Sequence, residues 1–368
     1  MIYLDNGATS FRKPPQVYRA VLDAMQTCAN PGRGGYGAAR RAEEVIYGCR
    51  ETAGELFGCQ PEQVVLTTCC THGLNLAIHS RIRPGSTVVI SGFEHNAVTR
   101  PLHALGVELR IAGRRLFNQE DTLSSFKKAL EGADAAVFTH VSNVFGYILP
   151  VEEMAAACRD RGIPFILDAA QSAGSLPVSL ENLGADFIAV PGHKGLLGPQ
   201  GTGLLLCRDG GEPLLYGGTG SFSRQQIMPP ELPDRLEPGT LNVPGFAGLR
   251  EGLRYLQKTK VESVFRREHQ MLKMCTEGLK KLGMRVFAGE DQAATVSFLP
   301  GMDCQEAADI LAKQGIAVRA GLHCAPTAHE SAGTLETGTV RVSIGYDTSP
   351  VQIAAFLRSA SKMPRFTE

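Results

Sequence analysis

Apolar and polar positions alternate with two different periods along this chain. Short apolar runs at residues 64–67, 88–90, 108–111, 135–140, 164–168, 187–190 and 201–207 are each the length of a buried strand. Between them, residues 16–27, 40–56, 71–82, a stretch following 94–96, and 151–161 carry apolar side chains at helical spacing. Strands alternating with helices predict a parallel or mostly parallel sheet covered on both faces, an α/β architecture. Residues 208–238 form a Gly- and Pro-rich connection without periodicity, a length at which loops tend to carry function. Beyond about residue 250 the composition shifts toward Lys, Arg and Glu, with helical spacing over 246–282, 306–314 and 350–360 and strand-like runs at 292–299 and 340–344. The expected organisation is a large α/β domain over 15–249 and a smaller α+β domain over 250–368, to which segment 1–14 is assigned.

Composition narrows the function. Lys plus Arg equal Asp plus Glu at 37 each, so no global field draws in nucleic acid or anionic lipid, and a small-molecule substrate is expected. The start, Met-Ile-Tyr-Leu-Asp-Asn, lacks the basic and apolar regions of a signal peptide, and no run approaches the roughly 20 apolar residues of a membrane span. A cytoplasmic location follows as an expectation. The ten cysteines are scattered without a disulfide framework or zinc-ligand spacing, so reduced thiols and no metal site are expected.

Candidate chemistry gathers at strand ends. Residues 187–190 deliver His193 and Lys194 into a loop punctuated by Gly192, Gly195, Gly198, Gly201 and Gly203. A lysine carried into the interior has a lowered pKa and a free lone pair, as a Schiff-base nucleophile needs; the alternative is an ordinary lysine on a surface loop. Ligands of such sheets sit beyond the carboxyl ends of the strands. Thr71, His95, Asn143, Asp168 and Lys194 all fall at or just past such ends. Thr68-Cys69-Cys70-Thr71 lies at a strand-to-helix turn where free N–H groups favour a phosphate, although Thr71 is equally a plain helix cap. In the loop 30–37, Arg33 and Tyr36 could reach an anionic group or simply face solvent.

These residue types suit pyridoxal 5'-phosphate, which needs a lysine, a carboxylate on its ring nitrogen, a phosphate cup and a flat group over its face. Lys194 would form the Schiff base, Asp168 would face the ring nitrogen, and His95 would stack. Thr71, Cys70 and His193 would form the cup, and Gln171 would reach the 3-oxygen.

Tyr3-Leu-Asp-Asn-Gly-Ala-Thr9, Glu94-His95, His140-Val-Ser-Asn143, Asp168-Ala-Ala-Gln171, Gly192-His-Lys194, Glu237-Pro-Gly-Thr240, Arg319-Ala-Gly-Leu-His-Cys324 and Val340-Arg-Val-Ser343 occur in this order along nearly the whole chain. The ordered set resembles the class V aminotransferase-like enzymes of fold type I, in particular their cysteine desulfurase and selenocysteine lyase branch. The resemblance implies a pyridoxal phosphate enzyme acting on L-cysteine or selenocysteine, with a possible protein as sulfur acceptor. It implies a homodimer with shared active sites, in which Thr240 reaches the partner's phosphate. Arg341, with Arg319 and Asn143, would hold the substrate carboxylate, and Cys324 would be the persulfide-forming nucleophile. Positive neighbours, Arg319 and His323, would favour its thiolate. Four positions depart from the family pattern: Cys69-Cys70 replace Gly-Thr, Pro191 replaces a phosphate-binding Ser or Thr, and Leu322 replaces a frequent His. A transaminase or β-lyase reaction on the same scaffold, and a non-catalytic sulfur carrier, are the competing readings.

Overall fold

The computed structural model describes residues 1–32 and 34–367. A seven-stranded sheet runs in the order Val64–Thr67, Gly203–Cys207, Phe187–Pro191, Phe165–Asp168, Ala135–Thr139, Thr87–Ser91, Glu108–Ala112. From Phe187–Pro191 to Glu108–Ala112 the pairing is parallel. Gly203–Cys207 is antiparallel to both its neighbours. The apolar runs are uninterrupted because both faces are covered. Val88 and Ile90 point into one apolar cluster and Val89 into the opposite one, and Ala135 and Val137 are divided from Ala136 and Phe138 in the same way.

A second, four-stranded antiparallel sheet orders Arg319–Gly321, Thr339–Ser343, Thr295–Leu299 and Arg285–Phe287 around its own apolar cluster. The chain start joins this region: Ile2–Tyr3 pairs in parallel with Ile316–Ala317. The helical stretch expected over 246–282 is two helices, Val243–Thr259 and Val261–Lys281, broken at Lys260 with φ 67°. No glycine or proline signals that break in the sequence. Phe246, Leu249, Leu253, Leu256 and Val264 pack into the large cluster, whereas Met271, Leu272 and Cys275 pack into the small one. We therefore propose that the division between the two units lies inside the Val261–Lys281 helix rather than at residue 250. Residues 208–238 hold only a short turn of helix, Asp234–Leu236. Among the described residues, no helix is long and apolar enough to cross a membrane.

Candidate active site

One cavity at the carboxyl edge of the large sheet is lined by Cys69, Cys70, Thr71, His95, Asn143, Asp168, Gln171, His193 and Lys194, among others. It thus unites the expected cofactor residues Lys194, Asp168, His95, Thr71, Cys70, His193 and Gln171 with Asn143, expected at both cofactor and substrate, but not Thr240. Sheet direction explains the convergence. Each parallel strand ends at this edge, and Val64–Thr67 ends there too, because two antiparallel pairings through Gly203–Cys207 restore its direction.

Lys194 sits in the connection between Pro191 and Gly203, which are themselves paired. The loop is packed against the turn that follows Asp168. A Cβ on Gly195 would meet the Ala173 carbonyl oxygen at 2.2 Å, and one on Gly174 would meet the Gly195 oxygen at 2.2 Å, so only glycines allow this approach. Burial holds the Lys194 amine below the usual lysine range, with Asp168 opposing. Asp168, 3% exposed, is raised by burial against the pull of the Ala170 N–H and Lys194. Its Oδ1 accepts from Ala170 N at 2.9 Å and from the Cys70 thiol at 3.5 Å. Burial and Asp168 together push the Cys70 thiol well up, so it stays a donor. Both bonds go to Oδ1, and Asp168 lines the cavity.

The Cys70–Arg81 helix begins one residue earlier than expected, with Cys69 as an N-cap that makes no side-chain bond. Thr71 is therefore inside the first turn rather than at the cap, and it is exposed. The backbone N–H groups of that turn have no intrahelical partners, and with the Thr71 hydroxyl they form an anion cradle. His193 Nδ1 lies 3.1 Å from Thr9 Oγ1, and burial, Lys194 and Lys13 lower its pKa to about 4. His95 Nδ1 accepts from Ala97 N at 3.0 Å, so its proton is on Nε2. Burial first, then Lys194 and nearby arginines, lower its pKa to about 4. His95 is thus a neutral ring and a donor, which fits stacking rather than proton abstraction. Gln171 Nε2 spends one hydrogen on the Gly7 carbonyl at 2.9 Å. The lysine, the free carboxylate oxygen, the N–H cradle and the neutral ring fit pyridoxal phosphate.

The expected substrate residues stand beside the cavity, already partly engaged. Arg341, 1% exposed, pairs with Asp5 at 2.6 Å and donates to the Asn143 carbonyl at 2.9 Å. Asp5 therefore occupies one Nη2 hydrogen of the guanidinium expected to meet the substrate carboxylate. The Nε of Arg341 is buried without a partner among the described residues, as are Asn143 Oδ1 and Ser343 Oγ. Asn143 lines the cavity, and its Nδ2 spends one of its two hydrogens on the His323 carbonyl at 2.8 Å. Asp5 had no individual signal in the sequence beyond its motif.

Cys324 is exposed, and its Sγ lies 3.8 Å from Arg319 Nη2. Its carbonyl accepts from Asn96 N at 2.8 Å, in the helix that His95 caps. His323 does not supply the positive charge expected of it: burial, with Arg341, lowers its pKa to about 2, and its ring turns toward Arg319 O and His329. Thr240 lies outside the cavity on an exposed segment. Tyr36 is exposed and precedes the Gly37–Phe57 helix, and Arg33 lies outside the described residues. Among the described residues, no cluster of His, Cys, Asp and Glu could hold a metal.

The profile of the class-V aminotransferases matches residues 2–356, and the chain belongs to that family. Within it, the chain is 30% identical over 376 residues to a probable cysteine desulfurase of Pyrococcus abyssi, covering 97% of this chain and 92% of that one. It is 31% identical over 368 residues to a probable cysteine desulfurase of Methanothermobacter thermautotrophicus, covering 96% and 92%. The apo structure of a cysteine desulfurase from Thermococcus onnurineus superposes with a TM-score of 0.91 at 32% identity, covering 98% of this chain and 94% of that chain. The fold is therefore the expected α/β fold type I, with a mostly parallel sheet.

Proposed function

We propose that this chain is a pyridoxal 5'-phosphate-dependent cysteine desulfurase that converts L-cysteine to L-alanine and keeps the sulfur as a persulfide on Cys324. The observation that carries the reading is the cavity that holds Lys194 and Asp168 together, with the Cys324 loop bonded to the helix that begins at His95. When bound, the cofactor supplies an electron sink for the charge left at Cα. The Asp168 Oδ2 would hold its ring nitrogen, the first turn of the Cys70–Arg81 helix its phosphate, and Lys194 its aldehyde carbon.

The residues then divide the work. Arg341 would take the substrate carboxylate through the guanidinium hydrogens that Asp5 and the Asn143 carbonyl leave free, and so fix its orientation. The lowered pKa of Lys194 favours a neutral amine able to accept the Cα proton. Cys324 Sγ, beside Arg319, attacks the substrate sulfur: an S–S bond forms as the Cβ–S bond breaks. The electron pair stays with carbon and is protonated to give alanine. The exposure of Cys324 supports onward transfer of sulfur to an acceptor, such as a protein thiol. Selenocysteine has the same geometry and is the alternative substrate.

A homodimer accounts for two features of the single chain. Thr240 is exposed on a segment held firmly from below, and Tyr18, Leu22 and Met25 form an exposed apolar side of the Pro15–Thr27 helix. A cytoplasmic setting, which keeps the ten thiols reduced, completes the proposal.

The test is alanine and sulfide release from L-cysteine with a thiol reductant, set against pyruvate. Cys324→Ser is expected to abolish alanine formation while the yellow chromophore remains. Lys194→Ala is expected to lose the borohydride-sensitive chromophore altogether. Pyruvate formation that persists in Cys324→Ser would instead indicate a β-lyase.

A further inference from the structure

Two histidines that the proposed reaction does not use lie under the Cys324 loop. His323 and His329 are 3% and 0% exposed, and their rings are stacked 5.7 Å apart at 12°. His323 Nε2 is 3.2 Å from the carbonyl oxygen of Arg319. A carbonyl only accepts, so Nε2 carries the proton and Nδ1 must be an acceptor. His329 Nε2, 3.5 Å from that Nδ1, is then the donor, and its own Nδ1 accepts from the Thr334 hydroxyl at 2.8 Å. The Arg319 carbonyl thus fixes the tautomer of His323 and the direction of its two bonds, while the His329 ring is also held by the backbone carbonyls of Leu322 and Thr334, which favour a proton on it. The reversed arrangement would set the His323 Nε2 lone pair against the carbonyl. Cationic rings are disfavoured by burial, and in His323 also by Arg341, Arg319 and His329.

What this chain of bonds holds is an uncommon backbone. His323 and Cys324 have φ of 52° and 57°, consecutive left-handed residues with full side chains, and such conformations persist only where the surroundings impose them. Two of the restraints grip carbonyls: Asn143 Nδ2 on His323 O and Asn96 N on Cys324 O. The third grips the His323 ring and comes from His329, which packs in turn against Phe145.

We propose that His329 is a positioning residue for Cys324: by donating to His323 it holds the two left-handed residues that keep the thiol beside Arg319 at the cavity rim. The inference rests on the reading of Cys324 as the sulfur-accepting nucleophile.

The test uses the holoenzyme with His329→Phe, which keeps ring volume but neither donates nor accepts, and His329→Gln, which does both. Three quantities are read: the rate of Cys324 alkylation by iodoacetamide, kcat and KM for alanine formation, and the ring nitrogen shifts of His323. His329→Phe is expected to lower kcat by about tenfold with KM within about twofold. It should also change the alkylation rate by at least about threefold and disturb the His323 tautomer, while the cofactor spectrum stays unchanged. His329→Gln should recover most of each effect. Thr334→Val, which leaves both rings in place, removes the bond to His329 Nδ1; it should shift the His329 ring nitrogens and change the alkylation rate in the same direction as His329→Phe, and it is readable even if the Phe variant does not fold. Wild-type alkylation and kcat in His329→Phe, or a Gln variant as impaired as the Phe variant, would overturn the proposal. Alkylation reports the thiol's setting directly, so it decides this point even if alanine formation survives in Cys324→Ser and the proposed reaction fails.

Discussion

Cys70 and Ala170 both donate to the same oxygen of Asp168, which pins the carboxylate and leaves the other oxygen for a ring nitrogen. The resemblance noted in the sequence leads one to expect a threonine here, and the Cys70 thiol keeps a donor at that place. A hydrogen bond of this kind contributes about 0.5–1.5 kcal/mol, so Cys70→Ala should weaken pyridoxal phosphate binding by roughly two- to tenfold. Cys70→Ser should bind almost as wild type; cofactor titration of the apoenzyme measures both, and unaltered binding in the Ala variant would show that the thiol only fills space. At this scale the sequence disclosed residue types but not their partners. Lys194 and Asp168 could be located because a strand end fixes where a side chain emerges. The Asp5–Arg341 pair could not, because it joins residues 336 apart in the chain. Nor could the histidine chain under Cys324, which depends on how the Pro326–Ala332 helix lies against a loop that carries no periodic signal.

Among the elements, the edge strand Val64–Thr67 shows how a buried ion pair can do the work of a missing neighbour. Glu237 accepts from the outward N–H of Leu66, and Arg50 donates to the outward carbonyl of Val64. The two side chains also pair with each other, Nη1 to Oε1 at 2.7 Å and Nη2 to Oε2 at 2.5 Å. The strand edge is thereby closed, and the segment that ends in Thr240 is fastened to it. Arg50→Met would leave Glu237 buried and unpaired and is expected to cost about 3–5 kcal/mol in denaturant unfolding. Arg50→Met combined with Glu237→Leu should recover part of that loss; equal losses in the single and double variants would mean the pair itself is not the stabilising feature. Strand and helix positions were largely legible, since the sheet is covered on both faces and its apolar runs are continuous. The break at Lys260 was not, because a left-handed lysine leaves no mark in an otherwise helical spacing.

Across the whole molecule, the two apolar clusters meet around a second cavity that shares Lys194 and Gln171 with the first and contains Glu268. Glu268 is 5% exposed, accepts from Ser175 at 2.8 Å, and burial raises its pKa to about 8. The folded protein therefore retains a proton that the unfolded chain releases above about pH 4.5. Glu268 thus lowers stability as pH rises through the window from about 4.5 to about 8, by up to about 1.4 kcal/mol per pH unit. Glu268→Gln keeps the Ser175 bond and removes the titration. Its melting temperature should exceed that of the wild type clearly at pH 8 and little at pH 5, and a constant difference across that range would count against a buried, protonated carboxyl. The division into two units showed in the sequence as a change of composition, but the helix that carries Glu268 contributes to both clusters, and composition does not register which side of a helix belongs to which core. The antiparallel strand shapes the behaviour of the whole. Because Phe187–Pro191 and Gly203–Cys207 are laddered together, the lysine rides on a bow strung at both ends from the middle of the sheet. Its bearing can slacken only if interior rungs part, so breathing of the chain elsewhere leaves the reactive amine aimed where it was.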